Sequence, residues 1–192
     1  VQENVLNETF VAQRPNQVYM ADITYIPTDE GWLYLAGVED LYSRKIAGWS
    51  AGARMTKERC IQALERACGR QRTTEPVLHH SDRGSQYASH DYPDKLREYE
   101  MVGSMSRKGN CFDNACMESF HSIIKRELVY LETFKTREQA IRRIFEYIEV
   151  GYSRERIHSS IGFRTPDEYE RSYFQALRTK ASGVTTEIVA EY

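Results

Sequence analysis

Val18-Tyr19-Met20-Ala21-Asp22-Ile23-Thr24-Tyr25-Ile26 is rich in β-branched and aromatic residues, and the same character returns from Trp32 to Val38. Thr28-Asp29-Glu30-Gly31 between them has turn chemistry, so the two runs read as a β-hairpin. Asp40 to Lys45 supplies a second turn and Ile46 to Ala51 a third strand. Asp22 is the misfit in the first strand, because a lone aspartate there has poor strand propensity and is costly to bury without a partner. It faces solvent, forms an ion pair, or serves chemistry.

Beyond the meander the periodicity changes. Thr56 is placed to cap a helix whose one face is Cys60, Ile61, Leu64, Ala67 and Cys68. Pro76 to His80 reads as a short buried strand, Asp91 to Tyr99 as a helix and Met101 to Met105 as another short strand. After the polar loop Arg107-Lys108-Gly109-Asn110, a helix is expected with Asp113 as its cap and an end near Tyr130. Thr136 and Gln139 have capping-box spacing ahead of a stripe of Ile141, Ile144, Phe145 and Ile148. Strands that begin as a meander and then alternate with helices make an α/β sheet of mixed direction. The predicted organisation is an arm or linker over 1–17, a core over 18–130, a C-terminal helical extension over 131–180 and a tail over 181–192.

The 192 residues carry a net charge of −2, and 41% are hydrophobic. That composition belongs to a folded globular chain, with neither disorder nor a membrane span suggested. The four cysteines form no Cys-x-x-Cys pair and read as thiols in a reducing cytoplasm. A slightly acidic chain is awkward for nucleic acid, whose phosphates are bound mainly by Lys and Arg. Residues 106–180 nevertheless hold a basic surplus.

Three acids stand out for chemistry. Asp82 lies just past a strand's carboxyl end, where open α/β sheets place ligands, although an ordinary turn aspartate before Gly84 would look the same. Glu118 follows after 35 intervening residues, with Asn114, His121 and Lys125 at helical spacing on its face. That face is either plain solvated surface or a metal carboxylate flanked by phosphate donors. Hard divalent cations need such charged oxygen ligands on rigid elements, which points to phosphodiester chemistry.

Ala21 to Ile26, Asp40 to Arg44, His80 to Tyr87, Ser104 to Asn110, Asp113 to Phe120 with Lys125, and His158-Ser159-Ser160 through Thr165-Pro166 occur in this order. Together they resemble the integrase core of DDE transposases, in the insertion-sequence-three family. The resemblance implies an RNase H-like fold, a mixed five-stranded sheet flanked by helices with a C-terminal helical extension. It implies Asp22, Asp82 and Glu118 as ligands of two Mg²⁺ ions, with Mn²⁺ able to substitute. It also implies DNA contacts by Lys125 and, from related integrases, by Asn114 and His121. Tyr19 stands where the family usually has Trp, Glu8 where an arginine is common, and His121 where Phe is frequent.

Arg154, Arg156 and His158 lie in an arginine and hydroxyl cluster suited to phosphate oxygens. The same cluster would serve equally as a surface turn pinning the last helix. The expected activity is metal-dependent DNA cleavage and strand transfer on element ends and target, by a homo-multimer. A nuclease that does not join, or an inactive DNA-binding module, are the competing readings. The family's upstream helix-turn-helix segment is not in this sequence.

Overall fold

The computed structural model describes residues 2–6, 11–70, 75–107 and 111–182, with backbone alone for 111 and 112. Five strands form one sheet: β1 (Val18–Ile26), β2 (Leu33–Asp40), β3 (Ile46–Gly52), β4 (Leu78–Ser81) and β5 (Val102–Met105), in the order β3-β2-β1-β4-β5. The first three pair antiparallel, while β1-β4 and β4-β5 are parallel. Gly31, at φ 97°, closes the first turn in a backbone region that disfavours a Cβ.

Strand alternation divides the core in two. Val18, Met20 and Ile26 of β1 point to one face with Leu33 and Leu35, whereas Tyr19 and Ala21 point to the other. The second face is covered by α1 (Lys57–Arg70) and α2 (Asp91–Glu98), which connect β3 to β4 and β4 to β5. The first is covered by α3 (Ala115–Ile124) and α4 (Arg137–Glu146), through Met117, Phe120, Ile124, Ala140 and Ile144. Ile148 and Tyr152 join that same core, so the segment 147–155 that follows α4 packs with it. α5 (Pro166–Ala181) starts with a full capping box, Thr165 and Glu168 exchanging bonds. Residues 3–5 also touch the sheet: the Val5 amide donates to Ser104 Oγ and the Met105 amide to the Glu3 carbonyl.

Local predictions differ from the structure at several points. Asp113 does not cap the Glu118 helix. It lies in a 3₁₀ turn, Cys111–Asn114, and its carboxylate accepts from the Arg107 amide at 2.6 Å and guanidinium at 2.9 Å, a charged partner that outcompetes an N-cap bond. The helix also does not continue regularly to Tyr130: from Lys125 to Val129 it widens to i→i+5 bonds, the Tyr130 amide donating to the Lys125 carbonyl. Phe145, placed in the α4 stripe by periodicity, is 52% exposed and only flanks Trp49. Thr136 does cap α4 by accepting from the Gln139 amide, but the Gln139 side chain returns to the Lys135 amide instead of Thr136. Lys108, Gly109, Asn110 and Glu8 lie outside the described residues.

Candidate active site

β4 ends at Ser81, which pairs with Ala21, so the β4-side edge of β1 is open from Asp22 onward. Asp22 therefore sits at the mouth of a notch in the sheet, and Asp82 leaves the end of β4 beside it. The Asp82 Oδ1 accepts from the Gly84 amide at 2.9 Å. A Cβ at Gly84 would stand only 2.9 Å from that oxygen, so glycine permits the tight return of the chain. Glu118, in the first turn of α3, presents an exposed carboxylate.

Asp22 has 19% of its side chain exposed. Burial pushes its carboxyl up to about 7, against the Ile23 amide that holds it down, and the charges of Asp82 and Glu118 add to the rise. The three acids thus lie within electrostatic reach of one another. Among the described residues, however, no three His, Cys, Asp or Glu side chains are close enough to hold one metal ion by themselves.

His121 follows from α3, its Nδ1 3.6 Å from Asp22 Oδ2. Burial, with Lys125 nearby, pushes its imidazole down to about 3, so the ring is neutral. Asn114 reaches the Ala21 carbonyl at 3.5 Å. Asn114 Oδ1 and His121 Nε2 are buried and have no hydrogen-bond partner among the described residues. Lys125 stands with its Nζ 4.8 Å from the Tyr25 ring centroid.

The fold does not bring Arg154, Arg156 and His158 to these acids. Arg154 pairs with Asp167 at 3.5 Å, Arg156 with Glu127 at 2.9 Å, and His158 is buried edge-on to Tyr152.

Two features were not read from the sequence. His80 is wholly buried, its Nδ1 2.8 Å from Ser104 Oγ and its Nε2 3.1 Å from Ser106 Oγ, which locks the end of β4 next to Asp82. Ser104 and Ser106, two residues apart and so on one side of an extended chain, were the available signal. The other is Glu39, fully buried in β2: one oxygen is 3.5 Å from Arg44 and the other has no partner. Arg44 in turn donates to Cys116 Sγ at 2.8 Å on α3.

Burial raises the Glu39 carboxyl to about 8, more than Arg44 lowers it, because the pair is long and half-satisfied. Between pH 4.5 and 8 the folded chain therefore keeps a proton that the unfolded chain releases. The resulting stability is complete below pH 4.5 and is lost as pH rises towards 8. Glu39→Gln removes this titration, so its unfolding free energy should gain on the parent from pH 5 to 8, by at most about 1.4 kcal/mol per pH unit, with the melting temperature rising accordingly. A gap independent of pH would show that Glu39 is ionised in the fold.

Comparison with known proteins agrees with this architecture. A family model described as "Integrase core domain" matches residues 12–111, which include Asp22 and Asp82, and a second of the same description matches 118–174, which includes Glu118. The chain is 47% identical over 175 residues to the insertion element IS600 uncharacterized 31 kDa protein of Shigella sonnei, covering 91% of this chain and 64% of that one. It is 47% identical over 170 residues to transposase InsF for insertion sequence IS3A of Escherichia coli, covering 88% and 59%. The chain thus spans less than two thirds of these relatives. Among solved structures, the HTLV-2 integrase catalytic core domain in complex with magnesium superposes with a TM-score of 0.61 at 15% identity, covering 83% of this chain and 99% of that one. The simian T-cell lymphotropic virus intasome, in complex with PP2A regulatory subunit B56 gamma, gives 0.67 at 15%, covering 83% and 55%. The sheet and its helices have the RNase H-like fold of integrase catalytic cores. With more than half its length matched by one family model and close relatives among IS3-type transposases, the chain belongs to the integrase core domain family.

Proposed function

We propose that this chain is the catalytic core of a transposase that cuts DNA strands at element ends and joins them to target DNA. The observation that carries the reading is the placement of Asp22 on an open strand edge, its proton affinity raised by burial and by the charges of Asp82 and Glu118. Three mutually repelling acids are a poor arrangement for folding and a good one for binding cations.

The donor set is hard oxygen, which suits Mg²⁺ or Mn²⁺. Mg²⁺ is commonly held by one or two carboxylates with substrate phosphates completing its shell, consistent with acids that do not close a three-ligand site alone. When bound, a pair of such ions supplies Lewis acidity for the attacking and leaving oxygens. The chain's own part is positional. Asp22, Asp82 and Glu118 hold negative oxygen at three fixed points, and His80 braces the end of β4. Neutral His121 and Asn114 line the approach, and Lys125 meets a phosphate as a point charge. No protein nucleophile is required.

Arg154 and Arg156 already have acidic partners, which favours the alternative that this cluster secures the last helix. DNA binding is therefore expected from the α3 side, by a multimer.

The test is incubation of labelled element ends and a target duplex with the chain and Mg²⁺ or Mn²⁺. Cleaved and joined products support the proposal; cleavage without joining indicates a nuclease, and neither product indicates an inactive module. Lys125→Ala should weaken joining and lower the slope of log affinity against log salt by about one, while Mn²⁺ affinity is retained. Loss of Mn²⁺ affinity would make Lys125 a support of the acid cluster instead.

A further inference from the structure

Beyond Asp22 the hairpin carries aromatic side chains that the core does not use. Tyr25 and Trp32 are 54% and 50% exposed, and their rings meet edge to face at 5.0 Å. Tyr34 lies directly across from Tyr25, extending the aromatic surface along the sheet. Lys125, from the far end of α3, places its ammonium 4.8 Å from the Tyr25 centroid. Tyr25 is three residue steps, about 10 Å, along β1 from Asp22, and by strand alternation its side chain leaves the opposite face of the sheet. Exposed rings with a cation beside them match the chemistry of single-stranded nucleic acid, whose unpaired bases offer a π-face and whose backbone offers a phosphate. Bases within a duplex are stacked on one another and cannot use such a surface.

We propose that Tyr25, Trp32 and Lys125 form a subsite for an unpaired nucleotide at the DNA end, the base stacking on the rings and the phosphate meeting Lys125. The ammonium has three donors, so contact with the Tyr25 ring leaves it able to bind phosphate. The inference rests on the proposed DNA reaction for its ligand. It does not rest on metal chemistry, since stacking requires none of the three acids.

The test measures binding of the chain, in chelator, to a blunt duplex and to the same duplex carrying three unpaired nucleotides with 2-aminopurine among them. The parent should prefer the overhang and change the 2-aminopurine fluorescence. Tyr25→Ala and Trp32→Ala should each weaken overhang binding about 5- to 100-fold and leave the blunt duplex within about twofold. Tyr25→Phe, which keeps the ring, should retain the preference and stands in if Tyr25→Ala does not fold. No loss, or equal loss on both duplexes, would overturn the subsite. Unchanged overhang binding with a lost multimer would do the same and make the patch an interface between copies. Overhang preference without any cleavage in Mg²⁺ would leave the subsite standing and defeat the proposed reaction.

Discussion

Glu118→Gln should reduce strand cleavage and joining by about a thousandfold or more, the scale of removing a member of a catalytic unit, while the protein stays folded. Glu118 is exposed in the first turn of α3, and its side chain fills no part of the core. Glutamine has nearly the same volume and helix propensity. It removes one of the two charges that raise the Asp22 carboxyl, so the variant should melt in chelator at or above the parent temperature. Added Mn²⁺ should raise the melting temperature of the parent and much less that of the variant, since only binding to the folded state stabilises it. Activity assays and melting curves on the two proteins check both halves. A variant that unfolds, or that retains most activity, would make Glu118 a structural helix residue.

Gly48→Ala should be the most damaging single methyl in the fold. Gly48 lies in β3 where α1 crosses it, and a Cβ there would stand 2.2 Å from the Ala63 carbonyl oxygen and 2.4 Å from the Ala67 amide nitrogen. Both are backbone atoms of α1, so no side chain can turn away. The helix must lift from the sheet, and the loss should exceed about 3 kcal/mol, at the upper end of overpacking, or roughly 6–12 °C in melting temperature. Gly69→Ala is the control: nothing lies within 4 Å of its added methyl, and the helix should gain about 0.5–1 kcal/mol. Equal melting temperatures for Gly48→Ala and the parent would mean that α1 does not pack this closely.

Much of this protein is local and was legible as such. The β1–β2 hairpin follows from β-branched and aromatic runs on either side of a Gly31 turn, and the observed strands fall within two residues of their predicted ends. The face of α1 follows from its spacing, with Cys60, Leu64 and Ala67 buried. The three acids also emerged from the sequence, by their positions relative to strand ends and a helix and by six motifs in order.

Where the local pattern did not decide, contacts outside it did. Phe145 has the right period for a buried stripe, but how far a helix face is covered depends on what packs beside it, and Phe145 sits at the open margin next to Trp49. Asp113 has the right residue type for a cap, yet Arg107 takes its carboxylate. Arg154 and Arg156 look equally free in sequence, and only the fold supplies Asp167 and Glu127 to pair them.

The sequence by itself determined the strands and the helix faces and singled out Asp22, Asp82 and Glu118 as candidates, because each depends on spacing over a few residues and on side-chain chemistry. The tertiary structure alone decided that β4 stops opposite Ala21, leaving Asp22 on an open edge with its proton affinity raised. It alone set Lys125 over Tyr25, because burial, charge coupling and ring contact depend on distances in space that the chain order does not contain.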